Sequence, residues 1–215
     1  LDLGARMRAH FSFGARGVLS GLVSDLNTRL DAIMLGAFRS DAVVGLYSMA
    51  STLAEGFFQI PVVIQRNVTP IIGKAFAEND MERIEWVARK TRRVMFLLMA
   101  AIALVAIVLY PFVMRFFLPD KGYDESAIAF AILLVGIVVQ SGVAPMGAIL
   151  FQGGRPGAQT LLMVIVVLVN LVLNLALIPA FGINGAAIAT GTAYILQGAL
   201  TVIFARRYFG VNLLK

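Results

Sequence analysis

The stretch "NLVLNLALIPAFGINGAAIAT", Asn170 to Thr190, decides how the whole chain is read. Its first half continues an apolar run long enough to cross a bilayer. Asn170 and Asn174 lie four apart in that run and so share one helix face. The run stops at Ile178-Pro179 and restarts through Gly182, Asn184 and Gly185 into small residues. Proline and glycine in that order mark a tight turn, and Gly185, Ala186, Ala187 and Ala189 let the next helix pack closely. The pattern is a pair of apolar helices joined by a short turn, with the two amides placed to hydrogen-bond a neighbouring helix.

The rest of the chain has the same character. Sixty per cent of its 215 residues are apolar and the mean hydropathy is +0.87, far above the roughly 45–50% apolar share of soluble domains. This is the composition of an all-α membrane protein. There is no cysteine, which excludes disulfides, a thiol nucleophile and thiolate metal ligation. The opening residues mix Asp2, Arg6, Arg8, His10 and Arg16 with scattered apolar ones, unlike a basic-then-apolar signal peptide, and read as the interior of a longer protein.

A hydrocarbon core about 30 Å thick needs roughly 20 helical residues per crossing. Six stretches qualify, at about 11–37, 42–75, 94–117, 126–151, 158–178 and 184–207. The joints between them are charged or rich in glycine and proline, as in "GGRPG" at 153–157. They leave no room for a soluble domain, so residues 1–215 form one transmembrane unit.

The net charge of +6 is explained by the positions of the basic residues. If both ends are cytoplasmic, that side carries Arg6, Arg8, Arg16, Lys74, Arg83, Arg89, Lys90, Arg92, Arg93, Arg155, Arg206, Arg207 and Lys215. The other side carries Arg39, Arg115 and Lys121, while Arg29 and Arg66 lie within helices. Thirteen against three is the bias expected of cytoplasmic loops, so the charge is an orientation signal and nucleic acid is not needed as a partner. The long connection "AENDMERIEWVARKTRRVM" opens on Asn79 or Asp80 as a helix cap and has Glu82 and Glu85 in its first turn. It is expected to form a helix over about 79–93 lying in the membrane interface.

Polar residues inside the spans are concentrated in the first two. Asp25, Arg29 and Asp31 fall near bilayer depth. Each charge costs about 2.5–3.5 kcal/mol at a helix centre, against about 0.3–0.6 kcal/mol returned by an aliphatic side chain, so this helix cannot face lipid all round. Ser20, Ser24, Asn27 and Asp31 share one sector of it, and Asp25 and Arg29 are spaced to pair along it. On the second helix Ser48, Thr52, Glu55, Gln59 and Arg66 lie near one line, with Pro61 expected to kink it. Two adjacent spans thus offer carboxylates, amides and guanidinium groups to a shared interior. Arg29, Arg66, Asn27 and Gln59 are the candidate cavity residues, and Asp25, Asp31 and Glu55 are candidates for charge balance or ion coupling. Asn170, Asn174, Gln140 and Gln197 are read as interhelical hydrogen bonds.

Motifs for covalent chemistry are missing. His10 is the one histidine, and neither a zincin nor a nucleophile-elbow motif occurs. "FQGGRPG" lacks the lysine of a phosphate loop and reads as a turn. Asp25 and Asp31 point to different sides of their helix, which disfavours an intramembrane hydrolase. The chain is not expected to be an enzyme, and no metal or cofactor is expected.

Three stretches together resemble the polysaccharide flippases of the multidrug/oligosaccharidyl-lipid/polysaccharide exporter superfamily: "DAIMLGAFRSDAVVGLYSMA" (31–50), "FQGGRPG" (151–157) and "VNLVLNLALIPAFGINGAAIAT" (169–190). The resemblance implies one six-helix lobe, the C-terminal one, of a two-lobe transporter with twelve or more helices. The implied activity is alternating-access export of undecaprenyl-diphosphate-linked oligosaccharide across the bacterial inner membrane, for surface polysaccharide synthesis. The implied partners are that lipid-linked substrate, the N-terminal lobe and membrane lipids. Arg29 and Arg66 would meet the diphosphate or anionic sugars, although Asp25 would offset Arg29. A peptidoglycan-precursor flippase or a cation-coupled drug exporter is the alternative within the superfamily. A non-transporting scaffold for polysaccharide synthesis is the alternative outside it.

Overall fold

The computed structural model describes residues 14, 18, 29–117 and 124–214, with 117 and 124 as backbone only. Asp25 and Asn27 lie outside the described residues. Among those described the chain is helical, with no strand: α1 over 29–38, α2 (Asp41–Ala77), α3 (Met81–Phe117), α4 (Asp124–Ser141), a single 3-10 turn (Ala144–Met146), α5 (Ile149–Gln152) and α6 (Pro156–Phe209).

Local chemistry sets the joints. Ser40 is extended just before α2, and Asp41 places a carboxylate in that helix's first turn, where the dipole favours it. Asn79 takes the left-handed conformation that ends α2, at φ 57, a conformation asparagine tolerates better than most residues. Asp80 then caps α3, its Oδ1 accepting the Arg83 amide at 2.9 Å. The stretch expected as an interfacial helix over about 79–93 is continuous with the span that follows it. α3 runs unbroken for 37 residues, about 55 Å at 1.5 Å per residue, so its basic first turns and its apolar later ones are one rod. α2 likewise continues as a single helix through Pro61 and Pro70.

The stretch expected as one span at 126–151 is broken. α4 and the Ala144–Gln152 segment meet at 59°, where Gly142 and Pro145 interrupt the helical ladder. α6 is two legs in one run, because Gly182 at φ 56, ψ −130 breaks it. Asn174 and Thr190 are 16 residues apart, about 24 Å along a straight helix, yet both reach the carboxylate of Asp31. The legs therefore fold back beside each other. Gly185 permits this, since a Cβ there would lie 2.3 Å from the Leu177 carbonyl oxygen. Arg39 fastens the turn by donating to the carbonyls of Pro179 (3.0 Å) and Ile178 (3.4 Å).

Two apolar clusters hold the helices. One gathers Leu35, Tyr47, Met99, Phe130, Leu133 and Ile183; the other gathers Ile72, Ile84, Met146, Ile149, Leu162 and Ala205. Between α4 and the second leg of α6 the backbones almost touch, as a Cβ on Gly136 would lie 2.6 Å from the Gly191 Cα. The outward faces stay apolar, with Phe116 81% and Phe112 67% exposed, a surface suited to lipid rather than water. Met81–Phe116 and Pro156–Phe209 are long and apolar enough to cross a membrane, and the bent pair can count as a third crossing. The protein is an all-α membrane protein.

Candidate functional site

Asp31 lies seven residues before the end of α1 and is 3% exposed. An unpaired carboxylate in an apolar interior is costly unless its lone pairs are met by donors. Here four donors converge on it. Asn174 Nδ2 (2.7 Å) and Asn170 Nδ2 (3.2 Å) donate to Oδ1, while the Tyr47 hydroxyl (2.8 Å) and the Thr190 hydroxyl donate to Oδ2. They come from α2 and from both legs of α6, so one side chain of α1 ties together three other helical segments. Asn174 also donates to Asn170 Oδ1 at 3.0 Å, and its own Oδ1 is buried without a partner. No described lysine or arginine pairs with Asp31; among the described residues the ion pairs are Lys74–Glu78 and Arg83–Glu78, on the surface. The cluster is a carboxylate held by neutral donors.

Glu55 lies on the next polar surface. A cleft of about 630 Å³ is lined by Arg29, Ala32, Ile33, Ser48, Ser51, Thr52 and Glu55. It receives one guanidinium, one carboxylate and three hydroxyls from the facing sides of α1 and α2. Ser51 and Glu55 also border the Asp31 cluster, alongside Tyr47, Thr190 and Tyr194. The open cleft and the buried acid are thus separated by a single layer of side chains.

The residues singled out from sequence divide accordingly. Arg29 and Glu55 share the cleft. Asp31 turns away from it into the packed interior. Gln59 and Arg66 are exposed farther along α2 and do not line the cleft. Asn170 and Asn174, expected to hydrogen-bond a neighbouring helix, do so, and the neighbour is the acid of α1. Tyr47 was missed because it stands one residue off the stripe that begins at Ser48. Thr190 stands on a recognisable polar stripe, but nothing in that stripe names its partner 159 residues away.

Among the described residues no group of three or more histidine, aspartate or glutamate side chains converges as a metal site, and the hydroxyls of Tyr47 and Thr190 donate to Asp31. The cleft offers both signs of charge to a polar group entering from the open side.

The MatE family pattern matches residues 19–176. The chain is 28% identical over 197 residues to a protein of Haloferax volcanii named probable flippase AglR, covering 89% of this chain and 40% of that relative. It is 24% identical over 205 residues to another protein of Haloferax volcanii, named probable low-salt glycan biosynthesis flippase Agl15, covering 95% of this chain and 43% of that relative. The chain spans about two fifths of the length of these curated relatives.

Proposed function

From the premise that the chain belongs to the MatE family, we propose that it is one six-span lobe of a flippase for a lipid-linked oligosaccharide. The lobe works by alternating access together with a second lobe, and no covalent step is involved. The carrier in this proposal is undecaprenyl diphosphate in a bacterial inner membrane, with both ends of the segment cytoplasmic.

The observation that carries the reading is the cleft shared by α1 and α2. Its Arg29 guanidinium can pair with phosphate oxygens in a fork geometry. Glu55 and the hydroxyls of Ser48, Ser51 and Thr52 suit sugar hydroxyls. A lobe that served only as a scaffold would have no use for charges at bilayer depth that cost several kcal/mol. Arg66, exposed beyond the cleft on the same helix, is assigned to the path of the anionic headgroup. Asp31, adjacent to the cleft and held by neutral donors, is assigned to ion coupling, with Glu55 balancing Arg29. The name of one Haloferax relative, a probable low-salt glycan biosynthesis flippase, supports a glycan cargo.

The test is single neutralisation, Arg29→Gln, Arg66→Gln and Glu55→Gln, in the intact protein at matched expression. A flippase loses surface polysaccharide and accumulates the lipid-linked intermediate on the inner leaflet. Normal polysaccharide output from all three variants would refute the assignment.

A further inference from the structure

A second polar space lies deeper in the lobe and is used by nothing above. A cavity of about 230 Å³ is bounded by α2, the break after α4 and both legs of α6, and it is lined by Gln65, Gln140, Gln159, Gln197 and Thr201 with apolar side chains between them. No charged residue lines it. Gln140 is 4% and Gln159 8% exposed, and the Oε1 of each is buried without a hydrogen-bond partner. Gly147 leaves the space into which Gln65 reaches, since a Cβ there would lie 3.1 Å from Gln65 Nε2. Buried amides in an apolar protein are costly when unmet, and several around one void make it a place for small neutral groups that donate and accept. At about 30 Å³ per molecule the void has room for several waters.

The cavity also has a defined neighbour. Phe58 lines it, and Phe58 stacks on Tyr194 with ring centroids 5.4 Å apart. Tyr194 borders the Asp31 cluster on its other side. Ten residues of α2 separate Glu55 from Gln65, about 15 Å along the axis, and the stacked pair has one ring on each of the two polar spaces.

We propose that the glutamine-lined cavity binds a cluster of ordered water and, when the Phe58–Tyr194 stack parts, passes a small cation or proton between Asp31 and the end of the lobe where α2 meets α3. Hydration of the cavity stands on its own lining; the passage rests on the ion-coupling role proposed for Asp31.

These 215 residues hold no cysteine, so an introduced thiol is the only one among them, and the unsubstituted protein gives the background rate. In the purified protein in detergent, Thr201→Cys is compared with Ile203→Cys, which faces outward on the same leg at 54% exposure. A thiol ionises in water and stays protonated in an apolar setting, so aminoethyl methanethiosulfonate should modify the cavity position at least about tenfold faster. Equal rates overturn the hydrated cavity. Replacing both amides, Gln140→Leu with Gln159→Leu, should slow the Thr201→Cys reaction by a similar factor, and an unchanged rate would also overturn it. If the double variant does not elute as the parent does, the two single-cysteine rates decide. In proteoliposomes of the intact two-lobe protein, modification at position 201 should abolish most sodium or proton movement. Movement that survives modification overturns the passage. No movement in the unmodified protein overturns the coupling role of Asp31, and the passage with it, while the thiol rates still decide hydration.

Discussion

Removing the Tyr47 hydroxyl tests whether Asp31 is charged and held as the geometry indicates. The Tyr47 hydroxyl donates to Asp31 Oδ2 at 2.8 Å, with the two side chains 1% and 3% exposed. A hydrogen bond to a charged group contributes about 1.5–3 kcal/mol and a neutral one about 0.5–1.5 kcal/mol. Tyr47→Phe should therefore cost about 1.5–3 kcal/mol when Asp31 is present. In an Asp31→Asn background the new carboxamide keeps its oxygen toward Asn170 and Asn174 and turns its NH2 toward the two hydroxyls, which can rotate to accept. There Tyr47→Phe should cost only about 0.5–1.5 kcal/mol. The coupling between the two positions is then about 1 kcal/mol or more, above the roughly 0.3–0.5 kcal/mol scatter of independent sites. Thermal unfolding of the purified protein in detergent reads it. At roughly 2–4 °C per kcal/mol for a chain of this size, the melting point should fall about 3–12 °C for Tyr47→Phe alone and about half as far in the Asn background. Equal shifts in both backgrounds would refute a charged, four-donor cluster.

Other outcomes follow from the same geometry. Gly182→Ala places a Cβ on a backbone at φ 56, ψ −130, a region nearly confined to glycine, and should cost about 1–3 kcal/mol of unfolding free energy; an unchanged melting point would show that the turn relaxes. Gly136→Ala drives a methyl to within 2.6 Å of the Gly191 Cα and should cost about 1–3 kcal/mol by overpacking, whereas alanine at Gly45, where a Cβ meets nothing within 4 Å, should not lower the melting point. Glu55→Gln, on a partly buried side chain, should move stability by less than about 0.5 kcal/mol while abolishing most of the glycan export proposed for the intact protein, and a large loss of stability would make Glu55 a packing residue instead.

The helices were legible because apolar runs and their breakers are local signals. Pro179 and Gly182 gave away the hairpin of α6, and Asp80 gave away the start of α3. The break after α4 was not legible. Its apolar composition continues through Gly142 and Pro145, and only packing shows that the chain bends there. In the same way Asp31 was conspicuous as a costly charge, and Asn170 and Asn174 as amides needing partners, but sequence could not join residues 139 and 143 positions apart. Which helices become neighbours depends on the whole packing of the lobe. The glutamines show this most clearly: Gln140 and Gln197 each looked like a lone interhelical hydrogen bond, and only the folded chain puts them with Gln65 and Gln159 around one void.

The near contact of Gly136 with Gly191 has a mechanical meaning. Two helices separated by side chains can slide, because rotamers adjust as one surface moves over the other. Two helices in backbone contact have no such bearing, and any shear between them meets the steep wall of the repulsive potential. α4 and the returning leg of α6 are therefore welded near their middles. If the lobe alternates access as proposed, the motion must carry both rods together, as a stiff lever whose fulcrum lies elsewhere.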